Sequence, residues 1–208
     1  TKLEDGKEYP LSFLINDEDN TTPYGNRSLD ITVMPWPWVK MGTGKFRDDY
    51  LCSMFNGGNP EIEVTIHEHK SKKGIYMIEE MYGWPFLTEF FKGSQEEIES
   101  QVKLTYTPVN ITIDCSDPTK VVMPRQFTGI IDGDPAYGNY EIAMSTGGEG
   151  TLVNGVITFP QEALAFVCGA GSLKANKSGL FRILLPGAEL TDYTLSAVYD
   201  GMKVSADG

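Results

Sequence analysis

Apolar residues in this chain recur at every second position, in runs too short and too closely punctuated for helices. From Glu61 to His69, Ile62, Val64 and Ile66 alternate with Glu63, Thr65 and His67. Successive side chains of a strand point to opposite faces, so this period of two marks a sheet with one buried side. Ser71-Lys72-Lys73-Gly74 supplies a polar turn and Ile75-Tyr76-Met77-Ile78 returns, which predicts a hairpin. The pattern repeats downstream. Val109, Ile111, Ile113 and Cys115 share one face, Ser116-Asp117-Pro118 turns the chain, and Val121-Val122-Met123 comes next. Thr151-Leu152-Val153 and Val156-Ile157-Thr158-Phe159 flank Asn154-Gly155, a pair suited to the positive φ that both central positions of a type I′ turn require. Further strands are expected over Leu29–Val39, Leu180–Leu185 and Tyr193–Tyr199. Pro35 and Pro37 remove two backbone donors from the first of these, so it must lie at a sheet edge or leave the sheet.

Helix signals are few. Ser94 and Glu97 fit a capping box that opens a short helix to about Gln101, and Gln161–Phe166 reads as one further turn. The 22 Gly and 12 Pro are spread along all 208 residues, with no linker-like concentration. The expected fold is all-β: an antiparallel β-sandwich or two small β lobes, with one or two short helices. The N-terminal segment 1–28 is expected to be extended. Residues 29–208 form the β-rich region, with a division into two lobes near 102–109. Gly42-Thr43-Gly44 and Gly147-Gly148-Glu149-Gly150 read as flexible turns; no Lys-Ser or Lys-Thr succeeds them, so they are not phosphate loops.

Charge narrows the partners. Twenty-nine Asp and Glu against 17 Lys and Arg leave a formal net charge of -12, which argues against nucleic acid and anionic membrane surfaces. No stretch approaches the roughly 20 apolar residues of a membrane-spanning helix, so no transmembrane span is expected. Cys52, Cys115 and Cys168 are odd in number, widely spaced and without a Cys-x-x-Cys pair. They read as small buried hydrophobes, with one bridge among the three left open. The chain opens Thr1-Lys2-Leu3-Glu4 with neither an initiator Met nor a signal-peptide core, so a mature chain that has lost its targeting segment is expected.

Two constellations are candidates for a site. Trp36 and Trp38 stand on one side of an extended Met34-Pro35-Trp36-Pro37-Trp38, and Tyr82-Gly83-Trp84-Pro85-Phe86 is a second proline-flanked aromatic cluster. Trp36, Trp38, Tyr82 and Trp84 are therefore the candidate ligand-binding residues, as a platform for sugar rings or a proline-rich peptide. The alternative is that these rings plug the end of a sandwich. His67 and His69, the only histidines, share one face of their strand and are candidate metal ligands together with Glu79 or Glu80. The alternative places them on the solvated face opposite Ile62, Val64 and Ile66. Carboxylates gather at Asp17-Glu18-Asp19, Asp48-Asp49, Glu79-Glu80, Glu96-Glu97 and Asp132-Gly133-Asp134. They read as solvated loops and edges. Calcium at the first and last is a weaker option, because neither has EF-hand spacing. There is no Gly-x-Ser-x-Gly elbow, no catalytic residue is assigned, and no cofactor is expected.

Several phrases also carry a likeness in order: Gly44-Lys45-Phe46-Arg47-Asp48-Asp49-Tyr50-Leu51, Glu63–Glu68, Gly74–Ile78, Ile113-Asp114-Cys115-Ser116-Asp117-Pro118-Thr119-Lys120-Val121, Asn154–Pro160 and Phe181–Gly187. Together they resemble a group of uncharacterised secreted or surface lipoproteins of Bacteroidetes, over most of the chain from Leu29. The resemblance implies an extracytoplasmic place in the cell envelope, as an outer-membrane lipoprotein or a secreted protein. It also implies attachment through a lipid-modified N-terminal cysteine, which would precede this sequence. The functional expectation is a non-enzymatic surface or periplasmic binding or assembly module for a glycan or another surface protein. The alternative is a carbohydrate-active enzyme that uses a carboxylate pair.

Overall fold

Strand pairing, traced in a computed structural model that describes residues 8–13, 27–32, 36–49, 58, 60–174 and 180–190, divides the chain between Pro37 and Trp38. In the N-terminal unit, β1 (Glu8–Phe13) and β2 (Arg27–Thr32) form an antiparallel ribbon with Leu11 opposite Leu29 and Tyr9 opposite Ile31. The boundary expected after residue 28 falls inside β2. Pairing with β1 holds Arg27–Thr32 to the segment before it, so the division moves to Pro37.

The larger unit is antiparallel throughout. Its strands are β3 (Trp38–Asp48), β4 (Glu61–His69), β5 (Ile75–Glu79), β6 (Leu104–Tyr106), β7 (Asn110–Asp114), β8 (Gln126–Asp132) and β9 (Asn139–Met144). β10 (Thr151–Val153), β11 (Val156–Phe159), β12 (Leu164–Cys168), β13 (Gly171–Lys174) and β14 (Phe181–Leu184) complete it. One sheet has seven strands in the order β10-β11-β14-β3-β4-β5-β7, and the other has five in the order β13-β12-β9-β8-β6. The all-β expectation holds, in a sandwich-like arrangement of two sheets.

No lobe boundary lies near 102–109. β7, β10, β11 and β14, all beyond it, enter the same sheet as β3, β4 and β5. A single apolar cluster runs from Phe46 and Ile66 in the larger sheet to Ile142 and Phe166 in the smaller. Continuous burial across both sheets makes one core where two lobes would need two. Val121 and Val122 make isolated bridges instead of a strand arm. Val121 exchanges hydrogen bonds with Gly150 beside β10, and Val122 exchanges them with Asp114 of β7. Together with Leu152 N–H donating to the Pro118 carbonyl, this short segment ties together both edges of the seven-stranded sheet and covers groups that would otherwise recruit another strand.

The helices are short. α1 (Trp84–Phe91) starts from an extended Gly83, carries Pro85 in its first turn and buries Phe86, Leu87 and Phe90. Tyr82–Phe86 is therefore a helix entry, not an extended aromatic platform, because Pro is pre-set for the first turn and the spacing of 86, 87 and 90 fits a helical face. α2 (Gln95–Glu97) has the predicted capping box, with Ser94 Oγ accepting from Glu97 N–H and the Glu97 carboxylate accepting from Ser94 N–H. It continues as a π turn over Ile98–Val102. Gln161–Phe166 is not helical: a turn ends at Ala163, and β12, a continuous apolar run that pairs with β9 and β13, begins at Leu164.

Gly42-Thr43-Gly44 lies inside β3 and not in a turn. A bulge separates Lys40 from Gly42, and a Cβ on Gly44 would stand 2.2 Å from the Leu184 carbonyl oxygen, so the glycine permits close strand approach. Asn154 and Gly155 have φ of 51° and 78°, as the turn chemistry predicts. Cys115 is buried and Cys168 half-buried, both as free thiols, and burial pushes the Cys115 thiol up to about 12. Cys52, Asp17–Asp19 and the strand expected at Tyr193–Tyr199 lie outside the described residues. Among the described residues no helix is long and apolar enough to cross a membrane.

Candidate functional site

The aromatic residues singled out by sequence part company. Trp36 is 50% exposed and stands one residue before the end of the N-terminal unit, whereas Trp38 opens β3 in the larger one. Trp38 pairs across the sheet with His69, whose ring it meets edge-on at 5.2 Å. Tyr82 is fully buried. Its hydroxyl donates to Asp48 Oδ2 at 2.6 Å, and its ring packs edge-on against Phe46, Phe86 and Phe166. A side chain so enclosed cannot stack on a ligand, so Tyr82 leaves the candidate surface. Trp84 is half-buried as the first residue of α1 and packs edge-on against Tyr106 at 6.3 Å. Burial pushes the Tyr106 phenol up to about 12, with the nearby Glu80 carboxylate adding to the shift.

The two histidines share a face, as their spacing predicts, but not the solvent. His67 is 7% exposed, in register with Lys40 on β3 and Met77 on β5. Its Nε2 lies 2.6 Å from Glu79 Oε1, and its buried Nδ1 has no hydrogen-bond partner. His69 Nδ1 accepts from the backbone N–H groups of Ser71 at 3.2 Å and Lys72 at 3.1 Å, capping the β4–β5 turn. Ser71 Oγ lies 3.4 Å from the same nitrogen, so this serine–histidine contact belongs to the turn. Among the described residues no group of three His, Cys, Asp or Glu gathers around a point that could hold a metal ion. Asp132 and Asp134 spend their carboxylates locally: Asp132 accepts from Asp134 N–H and Tyr140 O–H, and Asp134 accepts from Ala136 N–H.

Sequence reasoning missed a cleft of about 480 Å³. Its walls are the turn from β9 to β10 and the turn from β11 to β12, where the chain crosses from the smaller sheet to the larger and back. Ser145 and Thr146 line one side; Pro160, Gln161 and Glu162 line the other. Backbone bonds hold the walls together: Ser145 N–H donates to the Ala163 carbonyl at 2.8 Å, and Ala163 N–H donates to Pro160 at 3.2 Å. Glu162 sits at φ 61°, a conformation that a glutamate holds only where its surroundings impose it. The run Pro160-Gln161-Glu162, polar between two apolar strands, is the signal that could have exposed this turn.

A second, smaller groove of about 220 Å³ runs between β4 and the segment from Glu79 to Pro85. Elsewhere, hydrogen bonds hold several carboxylates below their ordinary range: Glu68 through Lys73 and then Gly74 N–H, Glu97 through Ser94, and Asp117 through Thr119. No family model, no curated protein and no solved structure matches this chain.

Proposed function

We propose that this chain is a binding module of the cell envelope, without catalytic chemistry of its own, and that the cleft between the two sheet-crossing turns takes a glycan. The observation that carries this reading is the cleft's lining: two hydroxyls, a carboxamide and a carboxylate, from Ser145, Thr146, Gln161 and Glu162. Sugar hydroxyls both donate and accept, and this set offers both roles. At about 480 Å³ the cleft falls in the range of roughly 300–1,000 Å³ typical of small-ligand sites. The smaller groove, at about 220 Å³, falls below it.

Glycoside hydrolysis calls for two carboxylates about 5–9 Å apart across the sugar. Among the described residues, Glu162 is the one carboxylate in the lining, which supports retention of a sugar over its cleavage. The envelope location rests on the likeness to Bacteroidetes lipoproteins, and the acidic charge agrees with a partner that is not a polyanion.

A glycan array and then titration calorimetry test the reading. The wild type is expected to retain at least one glycan, and Gln161→Ala, Glu162→Ala to weaken it about tenfold or more, since a hydrogen bond to a charged group is worth about 1.5–3 kcal/mol. A wild type that retains nothing, or a double variant that binds equally well, ends the proposal. Release of reducing sugar would turn the reading to the enzyme.

A further inference from the structure

Among the described residues, the first half of β4 is paired on one side only. β3 accompanies β4 along its whole length, from Arg47 opposite Glu61 to Trp38 opposite His69. On the other side β5 pairs with Ile66, His67 and Glu68 alone. The chain leaves the sheet at Glu79, turns with Gly83 N–H donating to the Glu80 carbonyl, and enters α1. Among the described residues, the backbone of Glu61–Thr65 is therefore an open sheet edge. Ile62–Thr65 form one wall of the smaller groove, and Glu79, Glu80 and Pro85 form the other.

An open edge presents alternating N–H and C=O groups that an extended peptide can complete. Carboxylates outnumber cations at this edge, although Lys45 stands opposite Glu63 on β3 and His67 Nε2 lies 2.6 Å from Glu79 Oε1. Glu63, Glu79 and Glu80 are exposed around it, and no lysine or arginine lines the groove. Glu61, at the end of the edge, is already bound by Arg182 and approached by Lys45 at 3.9 Å. We propose that this edge docks a short extended segment of a partner protein carrying lysine or arginine, added beside β4 as an antiparallel or parallel strand. Five residues of edge at about 3.3 Å each fix the length of the paired segment at roughly five residues. A second copy of this chain is a poor occupant, because its net charge of -12 and the same glutamates repel it. The proposal stands on the edge and its charge, and does not depend on the glycan cleft.

The probe is fluorescein-labelled Lys-Val-Lys-Val-Lys, acetylated and amidated, read by fluorescence polarisation. Wild type is expected to bind it, and Glu63→Lys, Glu80→Lys to weaken binding at least tenfold. The control Glu96→Lys, Glu149→Lys changes net charge equally at exposed sites elsewhere and is expected to weaken it less than threefold. Two further peptides, N-methylated at alternate backbone positions, probe the ladder on unmodified protein; one of the pair is expected to lose binding tenfold. No binding of the parent peptide, equal loss in both double variants, or full binding of both methylated peptides would overturn the proposal.

Discussion

Two proline-flanked aromatic clusters read alike in the sequence and meet opposite fates. Trp36-Pro37-Trp38 stands at the division between the two units, with Trp36 half-exposed and Trp38 resting edge-on against His69. Tyr82-Gly83-Trp84-Pro85-Phe86 turns inward, with Tyr82 and Phe86 fully buried among Phe46, Phe90 and Phe166. The difference lies in the element that each cluster opens. Trp38 begins an eleven-residue strand, whereas Gly83 and Pro85 begin a helix whose Phe86, Leu87 and Phe90 face the core. Aromatic content alone therefore says little about a ligand surface; the backbone that carries the ring decides where it goes.

The largest test of that contrast is Phe86→Ala. Truncating a fully enclosed ring is expected to cost about 3–5 kcal/mol, read from the denaturant midpoint at unchanged slope. Tyr82→Phe keeps the ring and removes the donor to Asp48, a fully buried carboxylate. It is expected to cost about 1–3 kcal/mol, and a loss near zero would show that the hydroxyl is dispensable. Trp38→Ala, on the exposed cluster, is expected to cost only about 1 kcal/mol, chiefly the edge-on contact with His69. A Trp38 effect as large as that of Phe86 would erase the distinction between the clusters.

The smallest effect is one of pH, in the turn beyond the same histidine. Lys73 and then Gly74 N–H hold the Glu68 carboxyl below 4.5, so its contribution is present above that value and is lost as pH falls through the lowered folded value. Glu68→Gln is expected to flatten the acid limb of a thermal-unfolding profile below about pH 4.5 and leave the neutral region nearly unchanged. An acid limb identical to wild type would remove Glu68 from the hairpin's acid sensitivity.

Legibility tracks distance along the chain. The β4–β5 hairpin, the Asn154-Gly155 turn and the Ser94–Glu97 capping box were all readable, because each depends on residues within a few positions of one another. α1 carried a local signal as well, in Gly83, Pro85 and the spacing of Phe86, Leu87 and Phe90, but a strong aromatic-platform pattern masked it. The burial of His67 was not readable. Alternation placed it opposite Ile66, yet its partner Glu79 comes from the next strand and its enclosure from the assembled sheet. The cleft was less readable still, since its two walls are short turns on either side of β10 and β11, joined by the backbone bond from Ser145 to Ala163.

The sequence by itself determined that the chain is all-β, where several of its turns fall, and that it is acidic, with a formal net charge of -12. Those properties arise from side-chain period, turn chemistry and net charge, which are local or additive. The tertiary structure alone decided that one core spans both sheets, that Pro118–Val122 ties the edges of the larger sheet, and that β4, among the described residues, keeps an open edge. It also decided which carboxylates face a groove. Each of these depends on pairing between residues far apart in the chain, and period and composition do not encode which strand lies beside which.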